Sequence, residues 1–207
     1  MDLHSLFRKP GFIVGAAAII MVATGAVVAG ISIQESHTSA ANDLLFQARK
    51  SLETESQALT QELKPSAAAK QEKADVAAAA ASAANYAKID VAAKFPETLK
   101  KFTTITETYP STRAAFEARL AIGSLFFDHG DSTHALEWFQ KAATNAPKSS
   151  DRAAALQSEG YAYENLGKPA DALQAYKKAL DQGDANIQAD LQKAIARCEA
   201  QKSAKGA

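Results

Sequence analysis

The same six landmarks occur twice in this chain, 37 residues apart. Gly123, Phe126, Gly130, Ala135, Phe139 and Ala142 are matched, offset for offset, by Gly160, Tyr163, Gly167, Ala172, Tyr176 and Ala179. Self-similarity at a period of roughly 20–50 residues marks an array of small supersecondary units, none of which buries its apolar face alone. No other property of the chain narrows its possible folds as far.

Each unit divides around a glycine. In the second, Ala153 to Leu166 and Pro169 to Leu180 both read as helices. Gly167 suits the left-handed residue that ends one helix, and Pro169 suits the first turn of the next. In the first unit Gly130-Asp131-Ser132 does the same job, with Asp131 or Ser132 able to accept from a free backbone N–H. The later helices carry Ala135, Leu136, Phe139, Ala142, Ala143 and Ala172, Leu173, Tyr176, Ala179, Leu180, a single buried stripe at helical period. Gly123 and Ala135 are expected on facing sides of one hairpin, as are Gly160 and Ala172. Larger side chains there would push the helices beyond their packing distance of roughly 8–10 Å.

With these residues at this spacing, the chain resembles the tetratricopeptide repeat (TPR) family, whose units of about 34 residues are helix–turn–helix pairs. Two units match, near residues 116–149 and 153–186. Some landmarks differ. Arg119 and Leu156 stand where an aromatic is usual, Glu159 where a leucine is, and Asp184 where Pro147 closes the preceding unit. Three extra residues separate the units. Phe102, Ile105 and Pro110 repeat the offsets of Phe139, Ala142 and Pro147, so the second half of a third unit is expected, with Tyr86 and Thr98 in place of the small residues. A capping helix is expected over 187–202, with Leu191, Ala194, Ile195 and Cys198 on one side. The resemblance implies an all-α chain in which a TPR-like, right-handed α-hairpin solenoid occupies residues 95–207.

The N-terminus carries the second strong signal. Residues 11–33 contain no charged side chain. As a helix the run would be about 34 Å long, enough for a hydrocarbon core of about 30 Å. Arg8 and Lys9 precede it, Glu35 and Asp43 follow, and no Lys or Arg appears until Arg49. The positive-inside tendency then gives a cytoplasmic tail at 1–10, a transmembrane helix at 11–33, and the rest on the far side. The alternative is a signal peptide cleaved near Thr38-Ser39-Ala40, although its apolar core would normally span about 7–15 residues. The only cysteine is Cys198, so a lipid-bearing cysteine after the apolar run is absent. Gly11 and Gly15, with Gly25, Ala26, Ala29 and Gly30, form a small-residue face that allows close helix approach, so a homo-oligomer is an open option.

Between anchor and repeats, residues 34–94 read as a helical linker. Leu45, Leu52 and Leu59 lie seven apart on one amphipathic helix, Pro65-Ser66 breaks it, and 67–84 is rich in alanine. Part of a degenerate repeat falls at the end of this stretch.

Lys and Arg number 23, as do Asp and Glu. This balance, without a clustered basic face, gives no reason to expect nucleic acid. No nucleophile elbow, Gly-rich phosphate loop or HExxH is present, and no catalytic residues, cofactor or small-molecule substrate are expected. His129 and His134 flank the Gly130 turn beside Asp128 and Asp131, but one loop cannot close a zinc site, and no metal is expected.

The family resemblance places a peptide-binding groove on the first helix of each unit. Carried over, its positions are Leu120, Ser124, Phe127 and Asp128, then Gln157, Tyr161, Glu164 and Asn165. Phe127 and Tyr161 are natural anchors for a peptide. The face holds no Lys or Arg, which argues against capture of a C-terminal carboxylate. The layout is similar to that of single-span bacterial inner-membrane proteins with periplasmic TPR domains, including translocon-associated subunits that pass clients to chaperones. That likeness implies a non-enzymatic scaffold that binds protein partners and assists secretion or assembly of envelope proteins. The other reading is a structural envelope protein that assembles with itself.

Overall fold

The computed structural model describes residues 10–63 and 89–205, with side chains over 35–63 and 89–203. Eight helices and no strand occur among the described residues. They are α1 (Pro10–Glu62), α2 (Val91–Lys94), α3 (Pro96–Thr108), α4 (Arg113–Asp128), α5 (Ser132–Thr144), α6 (Ser149–Asn165), α7 (Pro169–Leu180) and α8 (Gln188–Lys205). Among the described residues no helix is long and apolar enough to cross a membrane. The run at 11–33 falls within α1, but its side chains lie outside the described residues, so the membrane-span expectation stays one of sequence.

The chain forms two units, residues 1–40 and 41–207. Within the second, α3 to α8 follow one another as packed neighbours. The three-residue connections between α4 and α5 and between α6 and α7 enforce antiparallel pairs. Gly130 and Gly167 take the left-handed conformation with φ of 79° and 68°. Asp131 caps α5, its carboxylate accepting from the His134 N–H at 3.1 Å. Pro169 starts α7. Both turns follow the sequence expectation.

The first hairpin joins segments far apart in the sequence. Tyr86, placed in the upstream half of the third unit, lies outside the described residues. The helix seated on α3 is the 41–62 part of α1. Ala41, Leu45 and Ala48 are buried with Phe102 and Ile105 of α3 and with Ala114, Ala118 and Ile122 of α4. Leu59 joins Val91, Phe95 and Leu125. The Glu55 carboxylate accepts from the N–H groups of Glu97 and Thr98 at 3.1 and 3.2 Å. It thereby caps α3, whose own N-cap residue, Phe95, makes no side-chain cap. Lys94 pairs with Glu62 at 2.7 Å and Lys101 donates to Ser51 at 2.6 Å along the same seam. The seven-residue leucine spacing, filled in by Ala41 and Ala48, is therefore the stripe by which this part of α1 packs into the unit, with Leu52 half-buried. The compact unit accordingly begins at Ala41, well before residue 95.

The glycines of the repeat meet aromatic rings. A Cβ on Gly123 would lie 2.6 Å from the Phe139 ring, and one on Gly160 would sit closer still to the Tyr176 ring. Each glycine thus faces the aromatic one turn beyond the alanine that the pattern placed opposite it. Ala135 and Ala172 are fully buried all the same.

Two of the departures from the family pattern have visible uses. Arg119 is buried and donates to the carbonyls of Pro110 at 3.0 Å and Thr106 at 3.5 Å, satisfying groups at the end of α3 that an aromatic would leave bare. Asp184 accepts from the Asn186 N–H at 2.9 Å, turning the chain where proline is usual. One core then runs from Phe116 through Ala142, Ala155, Leu156 and Tyr176 to Leu191, Ala194 and Cys198, so α8 closes the stack.

Candidate protein-binding groove

Three of the eight carried-over groove positions converge. Ser124 and Phe127 of α4 and Tyr161 of α6 line one pocket of about 140 Å³, together with Phe139 of α5 and Ser158 of α6. Helical spacing explains the grouping: 124 and 127 are three apart, as are 158 and 161, so each pair shares a face. Phe139 forms part of the wall because the absent side chain at Gly123 lets its ring come forward. Phe127 meets Phe139 at 6.3 Å between centroids and 58°. Tyr161 meets Tyr176 edge-on at 5.7 Å and 68°. Both rings are thereby held in place, and Tyr161 still stands 38% exposed.

The other five positions have separate roles. Asp128 and Asn165 are exposed and Gln157 is half-buried. Leu120 packs into the core between the two repeat hairpins. Glu164 is the largest departure from the expected groove face. Arg197 of α8 donates to it through Nε at 2.8 Å and Nη2 at 2.6 Å. The Tyr176 hydroxyl donates at 2.8 Å and the Cys198 thiol at 3.4 Å. The Arg197 fork, helped by the Tyr176 hydroxyl, holds the Glu164 carboxyl below its ordinary range despite partial burial. Burial first, and Glu164 second, push the Cys198 thiol up to about 11. Glu164 therefore fastens α8 to α6 and α7, and its charge is already met.

Ser158 and Phe139 were absent from the carried-over face. Ser158 follows Gln157 directly and was open to the same helical-spacing argument. Phe139 read only as core and is buried, and nothing local announces that its ring also backs the pocket.

The histidines do not converge. His129 is buried against Phe95 at 5.4 Å, while His134 is exposed, pairs with Asp131 at 2.5 Å and stacks on Phe126 at 5.2 Å. Among the described residues no group of three or more His, Cys, Asp or Glu could hold a metal.

A larger, shallower cleft of about 360 Å³ lies between α1 and α3, lined by Lys50, Ser51, Glu55, Glu97 and Lys101 among others. Glu55 and Lys101 already bond across it, which identifies it as the seam of the first hairpin. The aromatic pocket is the stronger candidate for a docking site, because anchored aromatic surface contributes most to protein association.

No curated protein matches the chain significantly. Residues 153–182 match the family model of the tetratricopeptide repeat. The match falls on α6 and α7, the hairpin in which Gly160 meets Tyr176, so this hairpin is similar to a tetratricopeptide repeat, a module that generally mediates protein–protein interaction.

Proposed function

We propose that the protein is a non-enzymatic interaction scaffold of the bacterial cell envelope, anchored in the inner membrane by residues 11–33 and presenting its hairpins to the periplasm. The uncharged run with Arg8 and Lys9 before it supports the anchor and its orientation. The pocket between α4 and α6, walled by Phe127 and Phe139 of one hairpin and Tyr161 of the next, is the observation that carries the binding function. Envelope or secretion partners, such as a translocon subunit or a chaperone, fit this placement. An anchor confines the groove near the membrane and raises its effective concentration toward partners held there. No step of bond making or breaking is assigned to it.

A photoreactive residue introduced at Tyr161 in the full chain tests the reading. Foreign envelope proteins in the adducts support it, and carbonate-washed membranes should retain the chain. Release of the chain by the wash would remove the anchor, and an absence of foreign adducts would remove the scaffold.

A second reading, self-assembly, draws on Phe46, which is 70% exposed on α1, and on the small-residue face of residues 11–30. It requires adducts between two copies of the chain as the main product of the same probe.

A further inference from the structure

The pocket beside Tyr161 has a size, a polarity and a charged neighbour that together limit what can enter it. Its volume of about 140 Å³ is well short of the roughly 300–1,000 Å³ of a small-molecule site. It is close to the roughly 150 Å³ cavity, lined by apolar side chains, that takes one benzene. One side chain fills it. Phe127, Phe139 and Tyr161 supply apolar walls, and Ser124 and Ser158 supply polar ones. At the rim, Ser158 already donates its hydroxyl proton to the Ala154 carbonyl at 3.1 Å. Its oxygen is left as an acceptor, suited to a backbone N–H. Asp128 is exposed on α4 one turn after Ser124, on the same helix face as that lining residue. The other groove acid, Glu164, is held by Arg197, and none of the eight groove positions is Lys or Arg.

We infer that, given the scaffold reading above, this groove takes an internal peptide segment that seats one aliphatic side chain of Leu, Ile or Met size in the pocket and sets a Lys or Arg against Asp128. A terminal carboxylate gains nothing on a face without cations, and a bare charged residue would lose its hydration in the pocket. Burying one such aliphatic chain separates it from alanine by about 10- to 100-fold in affinity. The exposed charge contributes less and is sensitive to salt.

The test is a selection of random twelve-residue segments, displayed internally with no free carboxyl end, on the full-length protein in detergent. Parallel selections use Ser124→Leu, which fills the pocket from an exposed helical position, and Asp128→Lys. Circular dichroism confirms that both variants keep their helices. The expected result is enrichment of segments with one Leu, Ile or Met next to Lys or Arg. Enrichment is lost on Ser124→Leu, and the flanking charge reverses to acidic on Asp128→Lys. Replacing the aliphatic residue of a selected peptide by Ala should weaken binding at least tenfold in fluorescence anisotropy. Enrichment that is equal on Ser124→Leu, or indifferent to Asp128→Lys, would overturn this assignment while leaving the groove as a binding surface. No enriched segment together with no foreign adduct at Tyr161 would overturn the scaffold reading as well. Adducts of Tyr161 with Phe46 of a second copy would assign the pocket to self-association instead.

Discussion

Gly123 and Gly160 keep their places in the pattern because of the rings opposite them. Neither has a left-handed backbone; what excludes a side chain is Phe139 in one case and Tyr176 in the other. Gly160→Ala should cost about 1–3 kcal/mol by overpacking, read as a lower urea midpoint, and in a double-variant cycle with Tyr176→Leu the combined cost should be less than the sum of the two single costs. Gly167→Ala is the contrasting case. Open space surrounds its Cβ position, so its cost, about 1–2 kcal/mol, comes from the positive φ alone, and no second-site change should relieve it. The spacing of these glycines was legible in the sequence; the ring each one faces was not, because that depends on the register between helices. Glu164 gives a pH dependence of definite sign. Its carboxyl titrates below the ordinary value of 4.5 in the folded state, chiefly through Arg197. Its contribution is full above about 4.5 and is lost as pH falls through the lower folded value. Glu159 acts in the opposite direction, since burial raises its value and its cost fades on acidification. Replacing Glu164 by Gln should flatten the loss of stability between about pH 5 and pH 3 in urea titrations. An unchanged slope would mean that the Arg197 pair contributes nothing.

Among the helices, α8 illustrates how a solenoid ends. Leu191, Ala194 and Cys198 are buried against the last hairpin, and the Arg197–Glu164 fork fixes their register. Cys198 is fully buried and its thiol is raised to about 11, so it reports undocking of α8. A thiol reagent at pH 8 should label native protein slowly, and Arg197→Ala should speed labelling by about tenfold or more, through loss of about 1.5–3 kcal/mol of charged hydrogen bonding. Fast labelling of the unaltered protein would show that α8 is not held as described. The amphipathic side of this helix was readable from period alone. Its fastening was not, because Glu164 had a plausible place in the groove and only contact with α8 reassigned it. The seam of the first hairpin has a similar lesson. Glu55 caps α3 from 42 residues away from Glu97, a distance at which no local capping rule operates.

At the scale of the whole molecule, the folded array begins at Ala41. A chain starting at residue 95 would expose Phe102, Ile105, Ala114, Ala118 and Ile122, which α1 now covers. Residues 41–207 should unfold in one cooperative step, whereas residues 95–207 should melt at least several degrees lower and bind a hydrophobic dye. Equal melting of the two would show that α1 is dispensable. By itself the sequence determined an all-helical array, the two repeat hairpins, their glycine turns and the closing helix. These depend on local periodicity, on backbone preferences of Gly and Pro, and on a pattern that occurs twice. Only the tertiary structure decided which helix completes the first hairpin, which of the eight groove residues meet at one pocket, and that Glu164 belongs to the cap. Each of these is a choice of neighbour among segments distant in sequence, made by packing and by pairing of charge, and a period read along one chain carries no record of it.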